Sequence, residues 1–147
     1  MTGQTVTLER ADGESLERAA SLLERATLPT DDIDAAPVEL YLAGDGEERV
    51  GVGGFELYDT DGLLRSVAVK SSKRDEGYGS AIVAALESKA RETGVERLSL
   101  LTTTASDFFA ARGYSEIDRT DLPGRIRETT QFSDLCPSSA ACMRKSL

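Results

Sequence analysis

The residues whose spacing most plainly serves chemistry are Arg74-Asp75-Glu76-Gly77-Tyr78-Gly79, followed by Ser80. An apolar run from Leu63 to Val69 precedes them and a long helical pattern follows, so the glycines fall where a strand becomes a helix. The first turn of a helix carries unpaired N–H groups and a partial positive charge. Glycines let phosphate oxygens reach the backbone with no Cβ in the way, and Arg74 adds a planar cation at the edge. That chemistry is anion binding. A dinucleotide fingerprint would need a small residue where Ile82 stands, and a Walker loop needs a Gly-Lys-Ser/Thr run that the chain lacks. Glycines that only tighten a strand-to-helix turn would leave the same pattern, so the loop alone leaves both readings open.

What the chain lacks prunes other chemistry. It has no His among its 147 residues, which excludes a histidine base, a Ser-His-Asp triad and histidine metal ligands. Two cysteines, Cys136 and Cys142, cannot close a tetrahedral zinc site or build a disulfide scaffold, so no metal is expected. They read as small buried residues in a reducing compartment. Asp and Glu outnumber Lys and Arg by 26 to 17, a net charge of −9, which disfavours nucleic acid and anionic membrane as partners. Arg supplies 13 of the cations and Lys only 4, and abundant carboxylate with scarce Lys suits a protein kept soluble in concentrated salt. No apolar run approaches the roughly 20 residues of a membrane helix, and the first residues lack a signal peptide's regions; a cytoplasmic protein is expected.

The elements that must position the loop follow from periodicity and turn signals. Strands are expected over 4–9, 38–43, 49–57, 63–69, 95–101, 114–117 and 140–145. Helices are expected from Leu16 to Thr27, after Thr30, over 77–93, over 105–112 and over 123–132. With no repeat or linker, residues 1–147 read as one α/β domain, a mixed sheet covered by helices. The crossover from 63–69 through the long helix to 95–101 predicts a parallel pair.

Taken together, these segments resemble the GNAT family of N-acetyltransferases. Its signature, R/Q-x-x-G-x-G/A after the fourth strand, is matched by Arg74 through Gly79, and Ser66-Val67-Ala68-Val69 is similar to that strand. Ala105-x-x-Phe108-Phe109-x-x-x-Gly113-Tyr114 is similar to a later family helix. The resemblance implies a mostly antiparallel central sheet of six to seven strands with about four helices. It implies acetyl-CoA as co-substrate, a small-molecule amine as acceptor, direct attack without a covalent enzyme intermediate, and the homodimers common in this fold. It assigns cofactor binding to Val67, Ala68, Val69, Arg74, Asp75, Glu76, Gly77, Tyr78, Gly79, Ser80, Phe108 and Phe109, with pantetheine pairing along 67–69 as an added strand. Segments 63–69, 101–105, 126–129 and 135–143 look like the arsenic-resistance N-acetyltransferase branch, which implies an amino-acid-like toxin or an organoarsenical as acceptor.

The chain departs from the family pattern twice. Asp75 stands where most members have Gly, and Glu76 adds a second carboxylate beside the expected pyrophosphate. Phe109 replaces a tyrosine thought to protonate the leaving thiolate, and phenylalanine has no proton to give. Of the two phenylalanines, Phe108 is the one that reads as core. Without His, the amine's proton must go to a carboxylate, a tyrosine or a water relay; Glu56 is preferred, because it follows Phe55 on the strand before the cofactor strand. Tyr58 and Tyr114 are weaker candidates. Arg65, Arg125 and Arg127 are possible substrate-carboxylate clamps, and Arg65 and Arg127 are chosen, Arg65 being a charge inside an apolar strand. The missing tyrosine keeps open an acetyl-CoA-binding sensor without catalysis. Protein acetylation is the third reading, disfavoured because nothing suggests a peptide groove.

Overall fold

A computed structural model describes residues 6–11, 13–26, 38–46, 48–73, 77–102, 105–122, 124–127 and 141–147. The strands are β1 (Thr7–Arg10), β2 (Val38–Asp45), β3 (Glu48–Tyr58), β4 (Asp61–Val69), β5 (Arg97–Thr102), β6 (Ser115–Ile117) and β7 (Ala141–Ser146). The helices are α1 (Gly13–Arg25), α2 (Tyr78–Glu92), α3 (Ser106–Ala110) and α4 (Gly124–Arg127). All seven strands join one sheet in the order β1-β2-β3-β4-β5-β7-β6. Every pairing is antiparallel except β4 with β5, as the crossover through α2 requires. This is the mixed, mostly antiparallel fold expected. The helix expected after Thr30 lies outside the described residues, as do the 128–132 end of the helix expected over 123–132 and Cys136.

α2 lies tightly on one face because β3 offers it glycines. A Cβ on Gly53 would stand 2.6 Å from a Leu86 methyl, and one on Gly51 would stand 2.7 Å from Ile82 and meet the Ala68 carbonyl. Ile82, Val83, Leu86 and Ala90 of α2 are buried there against Phe55, Leu64 and Leu98. On the opposite face, α1 buries Ala19 and Leu23 against Leu40, Leu42, Val52 and Ala68. Farther along that face, Leu122 and Ile126 cover Leu63 and Cys142. Cys142 is therefore packed among apolar side chains.

The single parallel pairing is short. β5 matches β4 only at Asp61–Arg97, Gly62–Leu98 and Leu63–Ser99. Arg97 fixes this end through a two-pronged bond to Asp61, Nε–Oδ1 3.0 Å and Nη2–Oδ2 3.3 Å. The backbone N–H groups of Glu96 and Arg97 both donate to the Thr60 carbonyl, at 2.7 and 3.2 Å. From Leu64 onward β4 stays in register with β3 and has no further register with β5 among the described residues. β5 meanwhile continues along β7 to Thr102. The sheet thus divides into two ladders joined at one end.

Candidate active site

β4 changes its sidedness where it leaves β5. Val52 pairs with Ala68 and Gly54 with Arg65, so three steps on β4 match two on β3 and the extra residue makes a bulge at Ser66–Val67. Ser66 has φ of 60°, the left-handed region that non-glycine residues seldom enter. The alternation is reset there. Leu64 packs on the α2 side before the bulge, and Val67 and Val69 do so after it, with Ala68 on the α1 side. Ser66 and Val67 have no register partner on either neighbour, and they stand at the mouth of the gap between β4 and β5.

Beyond Val69 the chain reaches α2 through a short turn at Ser71–Lys73. Gly77 caps α2 at φ 89°, and among the described residues no side chain caps the helix in place of the usual Ser, Thr, Asp or Asn. Arg74, Asp75 and Glu76 lie outside the described residues. At Gly79 the bare Cα also faces protein, where a Cβ would stand 3.3 Å from the Phe108 ring and 3.7 Å from Val69. Tyr78 is buried, and its hydroxyl donates to Asp45 at 2.7 Å, so its side chain anchors α2 to the β2–β3 hairpin. Ser80 accepts from Arg112 Nε at 2.8 Å.

Both phenylalanines of α3 pack on the α2-side core, Phe109 more deeply than Phe108. Phe109 is the buried one, 8% exposed, edge-on to Phe108 at 5.0 Å and to Tyr114 at 5.5 Å. Phe108 is half-buried, between Gly79 and the guanidinium of Arg112. Arg112 was missed by sequence reasoning, although its i,i+4 spacing from Phe108 was the available signal.

On the face away from α2, Glu56 pairs across the strands with Leu63 and Arg65 with Gly54. Their side chains meet in an ion pair, Arg65 Nη1 to Glu56 Oε2 at 2.8 Å, with 0% and 3% of the two side chains exposed. Tyr58 donates its hydroxyl to Glu56 Oε1, and Arg65 Nε donates to the Ser66 hydroxyl at 3.0 Å. The arrangement joins a carboxylate, a cation and the bulge in one buried network. Tyr114 belongs elsewhere. It sits on the α2 side with its hydroxyl donating to Glu87 at 2.9 Å, and burial, then the Glu87 charge, pushes the phenol far above its ordinary range. That removes it as a base near neutral pH. Arg127 lies on α4. Among the described residues, no three His, Cys, Asp or Glu side chains group as a metal site.

Comparisons with known proteins agree with this geometry. Residues 8–116 match the model of the Acetyltransferase (GNAT) family. The amino-acid acetyltransferase of Mycobacterium tuberculosis is 33% identical over 90 residues, 60% of this chain and 48% of that protein. That of Neisseria meningitidis is 36% identical over 67 residues, 46% of this chain and 15% of that protein. The chain thus spans half or less of the length of these curated relatives. Among solved structures, N-acetylglutamate synthase from Neisseria gonorrhoeae, complexed with coenzyme A and N-acetyl-glutamate, superposes with a TM-score of 0.83 at 20% identity over 99% of this chain and 36% of that one. Rv2747 from Mycobacterium tuberculosis, in complex with CoA and NLQ, gives 0.78 at 23% identity over 96% of this chain and 99% of that one. With a family match over most of its length and the fold of those structures, the chain belongs to the GNAT acetyltransferase family.

Proposed function

We propose that the chain is an acetyl-CoA-dependent N-acetyltransferase acting on the primary amine of a small molecule. The observation that carries this is the gap between β4 and β5 ending at a glycine-capped helix. An extended pantetheine arm would pair along Val67, Ala68 and Val69 as strand addition does, and its diphosphate would meet Gly77 and the first N–H groups of α2. In the reaction the amine nitrogen attacks the thioester carbonyl, its proton leaves to a base, and the C–S bond breaks to release CoA thiolate. Glu56 serves as that base, directly or through water, and the Val67 N–H at the bulge meets the oxyanion. Because Phe109 cannot donate, the thiolate takes its proton from solvent.

Relatives named for amino-acid acetylation support an amino-acid-like acceptor. Within that class the likeness to the arsenic-resistance branch favours a toxin or organoarsenical amine, with Arg127 as the carboxylate clamp. Arg65 reaches a substrate carboxylate only by sharing its charge with Glu56. Phe109 supports a second reading, an acetyl-CoA sensor without turnover. A thiol-release assay over a panel of amino-acid and organoarsenical amines separates them. Release with a member of the panel is the expected result; acetyl-CoA binding with no release from any amine favours the sensor, and no binding overturns both.

A further inference from the structure

Two residues beyond α3, Arg112 turns back across it toward α2. Its guanidinium lies 3.7 Å from the Phe108 ring centroid, and Nη1 donates to the Phe108 carbonyl at 2.6 Å. Nε and Nη2 both donate to the Ser80 hydroxyl oxygen in the first turn of α2. Phe108 in turn rests on Gly79, so a stacked ring, a carbonyl and a hydroxyl all aim this cation at the start of the helix. A guanidinium carries five N–H donors, and these three bonds leave two with no partner among the described residues. Among the described residues Arg112 has no carboxylate partner, in a chain where acids outnumber bases by 26 to 17. Ser80 is altered by the contact too. A hydroxyl oxygen has two lone pairs, Arg112 occupies both, and the Ser80 O–H is left to act only as a donor. The first turn therefore offers donors from three sources: backbone amides, Ser80 and Arg112.

We infer that Arg112 is a determinant of acetyl-CoA binding: it holds Ser80 as a donor and supplies charge to the diphosphate of the cofactor. The inference rests on the acetyl-CoA reading. It assigns the diphosphate rather than the 3′-phosphate because Ser80 lies in the turn where the glycine-capped helix begins.

Calorimetric titration of acetyl-CoA, acetyl-dephospho-CoA and S-acetylpantetheine into the wild type, Arg112→Met, Arg112→Lys and Ser80→Ala tests it. Methionine keeps an apolar stem on Phe108, and thermal unfolding of each variant checks the fold. Arg112→Met is expected to weaken both acetyl-CoA and acetyl-dephospho-CoA by roughly 10- to 100-fold, the range of a lost charge-assisted bond. Affinity for S-acetylpantetheine, which has no phosphate, is expected to stay the same. Arg112→Lys should regain part of the loss, and Ser80→Ala combined with Arg112→Met should weaken binding by less than the two single effects added together. Unchanged acetyl-CoA affinity in Arg112→Met overturns the inference. So does a loss that disappears with acetyl-dephospho-CoA, which points to the 3′-phosphate, or one equally large for S-acetylpantetheine, which marks a folding defect. A wild type that binds none of the three overturns the acetyl-CoA reading itself, a result distinct from a variant without effect.

Discussion

Glu56 and Arg65 are bound to each other, and that sets how either can be tested. Removing one member of a buried pair strands the other's charge, so Arg65→Met is expected to lower unfolding free energy by roughly 3–5 kcal/mol in a denaturant titration. Glu56→Gln should abolish turnover while leaving acetyl-CoA binding intact. The double variant separates structure from chemistry: it should recover stability, having no unpaired charge, and remain inactive. Turnover in the double variant would remove Glu56 from the mechanism. The sequence marked both residues, one for following Phe55 and one as a charge in an apolar strand. It did not show that they meet, because that depends on the β3–β4 register, which the turn at Asp59–Thr60 sets.

At the scale of elements, most of the architecture was legible. Glycine turns and alternating apolar residues marked every strand, and α2 declared itself by length. The bulge was not legible, since nothing in Leu64-Arg65-Ser66-Val67-Ala68 signals a left-handed residue and serine is an unusual one to hold it. Nor was the deeper burial of Phe109 relative to Phe108. α3 spans only Ser106–Ala110, too few residues for helical phase to say which ring faces inward. The seat of α2 on β3 gives a direct test. Gly53→Ala places a methyl group against Leu86 and Ile82 and should cost about 1–3 kcal/mol through overpacking. A melting temperature equal to wild type would mean that α2 shifts freely, contrary to this packing.

For the molecule as a whole, the net charge of −9 and the carboxylates at Asp75 and Glu76 make salt the telling variable. The screening length falls from about 10 Å at 0.1 M to about 3 Å at 1 M. If the composition reflects a halophilic setting, both stability and acetyl-CoA affinity should rise or hold as KCl increases. Full stability in dilute buffer would sink the halophilic reading, and a steep loss of affinity in high salt would count against carboxylates tolerated beside the diphosphate. High pH is a second lever. Burial, then the hydrogen bond to Glu39, pushes Tyr41 from 10 up to about 12, and Tyr114 moves in the same direction. Both phenols keep their protons longer folded than unfolded, so their contribution is intact below pH 10; that of Tyr41 is lost as pH climbs through about 12, while Tyr114, shifted in the same direction, adds to the loss at high pH. In a tyrosinate absorbance titration of the native protein, Tyr41 and Tyr114 should ionise late. All four tyrosines ionising together near pH 10 would refute the burial assigned to Tyr41 and Tyr114.

The clamp of Asp61 and Arg97 makes the sheet a book bound along a single edge, with β1–β4 as one leaf and β5–β7 as the other. A ligand strand laid between the leaves would act as a second binding. Amide exchange should then slow on the free stretches of both β4 and β5 when acetyl-CoA is added, including positions the cofactor never touches. Protection confined to one leaf would mean that the spine alone already holds the two together.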